Sequence, residues 1–231
     1  MARPPYAPAL AAALAAALFA GCFAGLDEGS LTRGAAPGAG SDSGAGPGAG
    51  AGDGATPTQG CDDFSADGAG AAPAGWTFDG GDWSVVALGG AHALAQNDDH
   101  PSQRAYALYG ASSWNDYTVT ITLTPTQTNI SDCIDGRWRD QDDHYSLCLR
   151  DGSSWTLSAY DRGSRSQLAS GGLGYDAGST HLLELAFRGH SITPRLDGDE
   201  KTTVSDDTIG SGGVGVSTSS RLTVSRVCVT P

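Results

Sequence analysis

From Trp76 onward the apolar residues of this chain recur at every second position between clusters of Gly, Asp and Ser, a period that strands satisfy and helices do not. Tyr117, Val119, Ile121 and Leu123 fall on one side of an extended chain, and Thr118, Thr120, Thr122 and Thr124 on the other. The same alternation marks Tyr145, Leu147 and Leu149, then Leu183, Leu185 and Phe187, then Ile192 and Leu196, then Leu222 and Val224. No window carries the period of an amphipathic helix. Many short antiparallel strands, about 8 to 15 residues apart, predict an all-β chain folded as a two-sheet sandwich or jelly roll.

The pattern does not reach back to the start. Most of the first 60 residues are Ala, Gly, Pro and Ser, and such a stretch cannot bury enough apolar surface to offset its chain entropy. One domain is therefore expected over 61–231. Ahead of it, the run GAAPGAGSDSGAGPGAGAGDGATP has the composition of a flexible linker over 22–60, with an end-to-end distance of roughly 30 to 40 Å. The chain carries 13 Lys and Arg against 26 Asp and Glu, a net charge of -13, which repels a nucleic acid backbone and excludes it as an expected partner.

The first residues pair Arg3 with the apolar run ALAAALAAALFA, Ala9 to Ala20, and read as a signal peptide over 1–21, too short to span a bilayer. Leu18-Phe19-Ala20-Gly21-Cys22 resembles the lipobox of bacterial lipoproteins, with Phe19 where Leu is usual. That resemblance implies lipidation of Cys22 as the new first residue, and an exported protein anchored by lipid to the cell envelope. Phe23, rather than Asp, after the anchor resembles outer-membrane sorting.

Four further cysteines, at 61, 133, 148 and 228, are an even number in an exported chain and predict two disulfides, with three connectivities open. An antiparallel hairpin centred on Asp140-Gln141 pairs Trp138 with Asp143, Gly136 with Tyr145, Ile134 with Leu147 and so Cys133 with Cys148. That leaves Cys61 with Cys228. No pair has the CxxC spacing of a zinc site, and no metal is expected.

Several pieces then follow in order: Cys61-Asp62-Asp63-Phe64 with Gly75-Trp76 and Asp82-Trp83-Ser84-Val85, and Trp114-Asn115-Asp116-Tyr117 opening a long strand. After them come Arg139 with Asp142-Asp143-His144-Tyr145, Leu196-Asp197-Gly198, Gly213-Val214-Gly215-Val216 and Val224-Ser225-Arg226-Val227. Together they resemble the concanavalin A-like (laminin-G-like) jelly roll over 61–231. The resemblance implies terminal strands lying side by side, in agreement with a Cys61–Cys228 bridge. It also implies a glycan-binding surface on the outward face of one concave sheet.

With Trp138, Tyr145 and Leu147 inward, the hairpin register sets Asp135, Arg137, Arg139, Asp142, His144 and Ser146 outward. A next strand over 155–161 with Leu157 inward adds Tyr160, and Thr118, Thr120 and Thr122 join the same outward set. Arg137, Arg139, His144, Ser146 and Tyr160 are the candidate ligand-binding residues, able to hydrogen-bond sugar hydroxyls and stack on a ring. The same charges also suit a plain solvated sheet face. Trp76, Trp83, Trp114, Trp138 and Trp155 all adjoin strand ends, where at least three are expected to pack in the core or at its edge.

The pairs Asp62-Asp63, Asp98-Asp99, Asp142-Asp143 and Asp206-Asp207, with Asp197 and Asp199, offer oxygen ligands for calcium, which laminin-G-like modules hold. No window has EF-hand spacing, turn chemistry accounts for most of these residues, and no cofactor is expected. The Glu-x-Asp-x-Glu strand of concanavalin-like glucanases is absent, and the only glutamates are Glu28, Glu184 and Glu200. Arg139, His144 and Tyr145 have the residue types of a lyase site, but neither Gly-x-Ser-x-Gly nor His-Glu-x-x-His occurs, and no catalytic residue is assigned. The expected function is a lipid-anchored, non-catalytic module that binds an envelope polysaccharide or other glycan. The alternatives are a polysaccharide hydrolase or lyase on the same fold, and a structural or protein-interaction module of the envelope.

Overall fold

The computed structural model describes residues 60–99 and 103–231. The expected signal peptide over 1–21, the lipidation at Cys22 and the linker over 22–60, apart from Gly60, lie outside the described residues. The described chain is all-β, with no helix among its residues. Its strands are β1 (Gly60–Asp62), β2 (Trp76–Asp79), β3 (Trp83–Leu88), β4 (Ala91–Gln96), β5 (Ala105–Tyr109) and β6 (Thr118–Pro125). Next come β7 (Ser131–Trp138), β8 (His144–Arg150), β9 (Ser154–Asp161), β10 (Ser164–Gly172) and β11 (His181–Arg188). The last are β12 (Ser191–Leu196), β13 (Asp199–Glu200), β14 (Val204–Ser205), β15 (Gly213–Thr218) and β16 (Leu222–Thr230).

A seven-stranded sheet runs β10-β9-β8-β7-β15-β5-β2. A nine-stranded sheet runs β13-β12-β11-β6-β16-β4-β3, with β1 added on β16 and β14 on β12. Every pairing is antiparallel, and the two sheets pack face to face as a jelly-roll sandwich. Val119, Ile121 and Leu123 of β6 meet Ile134 of β7, Leu147 of β8 and Leu157 of β9 in one core, each at most 1% exposed. Removing each such side chain from water stabilises the fold by about 1.5–3 kcal/mol, before the entropy of ordering it is subtracted.

The alternation that defined β6 is observed, but its outer residues are not where they were expected. Thr118, Thr120 and Thr122 lie on the nine-stranded sheet, because the chain crosses to the other sheet between Pro125 and Ser131. They therefore face away from β7, β8 and β9.

Tight hairpin turns take up the left-handed backbone that a right-twisted pair of strands requires, Gly89-Gly90 (φ 57° and 93°) between β3 and β4 among them. Arg162-Gly163 (φ 50° and 75°) joins β9 to β10, and Asp197-Gly198 (φ 54° and 86°) joins β12 to β13. Both expected disulfides are formed, Cys61–Cys228 across β1 and β16 and Cys133–Cys148 across β7 and β8. Such bridges form and persist in an oxidising compartment, as in an exported protein.

Candidate functional site

The candidate residues sit on β7, β8 and β9, and the path of β7 decides which of them share a face. Against β15, Val214 pairs with Gly136 but Gly213 pairs with Trp138, so Arg137 is one residue too many, a β-bulge with φ 46°. Each residue after Gly136 is thereby moved to the opposite face. Trp138, expected inward, packs on the outer face, while Arg137, expected outward, turns into the end of the sandwich at 2% exposure. The expected Trp138–Asp143 pairing slips likewise, and the Arg139 N–H donates to the Asp143 carbonyl at 3.1 Å.

Inside, Arg137 is held on every side. Its guanidinium donates from Nε to the Asn115 carbonyl (3.2 Å), from Nη1 to that of Ile209 (2.8 Å) and from Nη2 to that of Gly189 (2.7 Å). It also lies over the Phe187 ring, 4.9 Å from the centroid. The Arg137 backbone N–H donates to the Tyr117 hydroxyl, which donates to the Gly213 carbonyl at 2.9 Å. These bonds offset the cost of a left-handed non-glycine residue. They also tie three loops together and commit Nε, Nη1 and Nη2 each to a backbone carbonyl.

On the outer face the rings form a row across the strands. Tyr106 lies 4.8 Å from Trp138, Trp138 4.5 Å from His144, and His144 stacks on Tyr160 at 4.4 Å with 10° between planes. The adjoining register row is polar, with Asp135 opposite Ser146 and Ser146 opposite Ser158. Asp135 is wholly buried and accepts from the Ser146 hydroxyl at 2.6 Å through Oδ1. Its Oδ2 has no protein partner, nor have the buried hydroxyls of Ser158, Thr156 and Ser217 on the same face. A buried polar atom left unpaired costs about 1–3 kcal/mol, and ordered water is the partner that such a floor calls for.

Burial pushes the His144 imidazole below its ordinary value, against the opposing pull of the Asp135 carboxylate, so the ring is neutral at pH 7. Nδ1 lies 3.1 Å from the Asp140 carbonyl, an acceptor, and must carry the proton. Nε2 is then itself an acceptor, 3.9 Å from Asp135 Oδ1. Two acceptors addressing one space call for a donor, such as an O–H.

A cavity opens on each side of the row. One, of about 300 Å³, is lined by Trp138, Arg139, Thr77 and Leu108. The other, of about 210 Å³, is lined by Tyr160, Thr156, Arg104, Arg150 and Arg165. Of the five candidate residues, His144, Ser146 and Tyr160 come together. Arg139, whose Nε donates to the Ser211 carbonyl at 3.0 Å, stands at the first cavity, and Arg137 belongs to the frame. Trp138, Tyr106, Thr156, Ser158 and Ser217 on this face, and Arg104, Arg150 and Arg165 at the second cavity, were not among the candidates.

Elsewhere, the paired acids cap turns. Asp62 accepts from the Phe64 N–H and the Trp76 indole, Asp140 from the Asp142 and Asp143 N–H groups, and Asp206 from Tyr145 and Thr208. Tyr145, named above among lyase-type residues, points inward with its hydroxyl on Asp206 at 2.6 Å. Ser179, His181 and Asp197 have the spacing of a nucleophilic triad, 2.8 Å and 2.9 Å. The Ser179 hydroxyl is directed at the Asp176 carbonyl, however, and none of the three residues lines a principal cavity, so this group clasps a turn.

No family profile and no curated protein matches the sequence. Solved structures do match the fold. The carbohydrate binding module CBM66 from Bacillus subtilis superposes with a TM-score of 0.57 at 16% identity, over 68% of this chain and 96% of its own. A GH16 protein of the Bacteroides ovatus mixed linkage glucan locus, in complex with an oligosaccharide product, gives a TM-score of 0.54 at 9% identity, over 74% and 99%. A GH43 protein from Bacillus licheniformis gives 0.54 at 14%, over 73% and 38%. At these identities the likeness is one of fold, the concanavalin A-like jelly roll.

Proposed function

We propose that this protein binds carbohydrate, without cleaving it, on the outer face of its seven-stranded sheet. The observation that carries the reading is the aromatic row of Tyr106, Trp138, His144 and Tyr160 beside a buried floor of unpaired oxygens on Asp135, Ser158 and Ser217. Sugars present apolar ring faces and many hydroxyls, and that pairing of rings with hydrogen-bonding atoms suits them. The neighbours of like fold, one titled a carbohydrate binding module and two named as GH16 and GH43 proteins, support the same class of ligand. Ser146 fixes Asp135, His144 and Asp135 accept from one hydroxyl, Tyr160 and Trp138 flank the ring, and Arg139 reaches a second sugar unit.

A second reading, a hydrolase or lyase, draws on Asp135, a fully buried carboxylate beside a neutral imidazole. A retaining glycosidase needs a second carboxylate about 5 Å away, and Asp135 is the one buried acid on this face among the described residues. Screening the protein on a glycan array, alongside Trp138→Ala and Tyr160→Ala, tests both readings. At least tenfold weaker binding by each variant is the expected result, with an unchanged melting temperature for Tyr160→Ala and a lower one for Trp138→Ala, whose ring is buried. Wild-type binding by both variants refutes the site. Reducing ends or unsaturated products released from a polysaccharide panel would replace binding by catalysis, and capture of envelope proteins with no glycan bound would favour a structural module.

In the same proposal the protein is exported and held on the cell envelope, at the outer membrane, through a lipid on Cys22. Cys22→Ser is expected to shift it from the membrane to the soluble fraction; an unchanged distribution rules the anchor out.

A further inference from the structure

The second cavity differs in charge from the rest of the molecule. In a chain with twice as many acids as bases, three guanidinium groups, Arg104, Arg150 and Arg165, converge on about 210 Å³ with no acidic residue among those lining it. Five of the eleven described Lys and Arg residues, Arg137, Arg162, Arg195, Arg221 and Lys201, lie within 4 Å of a carboxylate. Arg104, Arg150 and Arg165 have no such partner among the described residues. Arg104 spends its Nη2 on the Ser217 carbonyl at 3.5 Å and on the sulfurs of the Cys133–Cys148 disulfide, all weak or neutral acceptors. The Arg150 Nε is buried and donates to nothing in the protein.

A second observation points to a ligand in the same place. Thr156 lines the cavity, is 7% exposed, and its Oγ1 has no protein partner. A hydroxyl among three guanidinium groups that have no carboxylate within 4 Å completes a donor set for an anion, and partial burial strengthens charge-assisted hydrogen bonds to it. Planar guanidinium forks match a carboxylate bidentately. The cavity also opens beside Tyr160, the last ring of the aromatic row, so an anion seated there lies one ring away from the sugar platform.

We infer that the ligand is an acidic glycan, and that Arg104, Arg150 and Arg165 with Thr156 receive the carboxylate of a uronic acid residue while its neighbour in the chain stacks on Tyr160 and His144. This rests on the carbohydrate-binding reading and narrows it. The net negative charge of the chain repels polyanions at long range, so selectivity here comes from the local guanidinium cluster and binding weakens as salt screens it.

The test uses the full chain and isothermal titration with polygalacturonate, alginate and hyaluronan, each beside its methyl ester, with dextran and dextran sulfate as further probes. Expected is binding to at least one uronate polymer, weakened tenfold or more by esterification. Arg150→Gln and Arg165→Gln should each weaken it tenfold or more, with no change in melting temperature. Equal binding of acid and ester, or wild-type affinity in both arginine variants, overturns the inference while leaving the glycan reading standing. Binding of dextran sulfate but of no uronate overturns the carboxylate assignment. Binding of no glycan at all on the wider array removes both readings together.

Discussion

Asp132 has no exposed surface, and only one of its carboxylate oxygens is bonded, Oδ1 to the Thr218 hydroxyl. Burial raises its pKa from 3.8 to about 6, with the Thr218 bond and the Arg104 charge pulling the other way. A carboxyl that keeps its proton in the folded state, where the unfolded chain has already lost it, stabilises the fold below about pH 4; that contribution is lost as pH rises toward 6. Asp132→Asn should therefore be more stable than the natural protein above pH 6, by about 1–2 kcal/mol, and lose this advantage near pH 4. Melting curves of both proteins at four pH values between 4 and 7.5 measure it; parallel curves would show that Asp132 is not the titrating group. Nothing in the local sequence, Ser131-Asp132-Cys133, marks this residue, since the alternation of β7 reads as strand whichever acid lies within it.

Among elements, β7 shows where reading the sequence stops. Period-two alternation requires only that apolar side chains share a face, and it gave the hairpin register of β7 and β8 correctly from Cys133–Cys148 to Gly136–Tyr145. One extra residue reverses everything beyond it. The bulge at Arg137 depends on carbonyls of Asn115, Gly189 and Ile209, which come from distant parts of the chain. Gly212 is the nearest thing to a marker: a Cβ there would stand 2.1 Å from the Arg137 carbonyl carbon, so only glycine lets that loop cross the bulge. Such a requirement appears once the strands are paired, not before. Tyr160 and His144 were legible because β8 and β9 carry no such irregularity, with His144 directly opposite Tyr160. Arg104 was not, because it precedes β5, a strand whose neighbour β15 lies more than a hundred residues away in the chain.

Over the whole molecule, the all-β class and the sandwich followed from alternation and turn residues alone, whereas assigning strands to sheets did not: the outer threonines of β6 belong to the other sheet. The Cys61–Cys228 bridge closes a loop of 167 residues, almost the entire described chain. Loop-closure entropy assigns such a crosslink roughly 5 kcal/mol against the unfolded state. Cys61→Ser with Cys228→Ser should lower the denaturant midpoint by an amount equivalent to about 3–5 kcal/mol, read from urea unfolding with and without reductant. A double variant as stable as the oxidised protein would mean that β1 and β16 hold together without the bond.

That bridge also sets a path for force. A load applied through the residues before Cys61 and resisted by a ligand on the seven-stranded sheet enters the domain at β1. It then crosses the sulfur bond into β16, which lies between β6 and β4 within the other sheet. The three residues of β1 cannot be peeled away as the first event, because tension bypasses their hydrogen bonds and reaches a strand paired with β6 along its whole length. Under flow or traction, the oxidised molecule should yield at its grip on the ligand before it yields at its own edge.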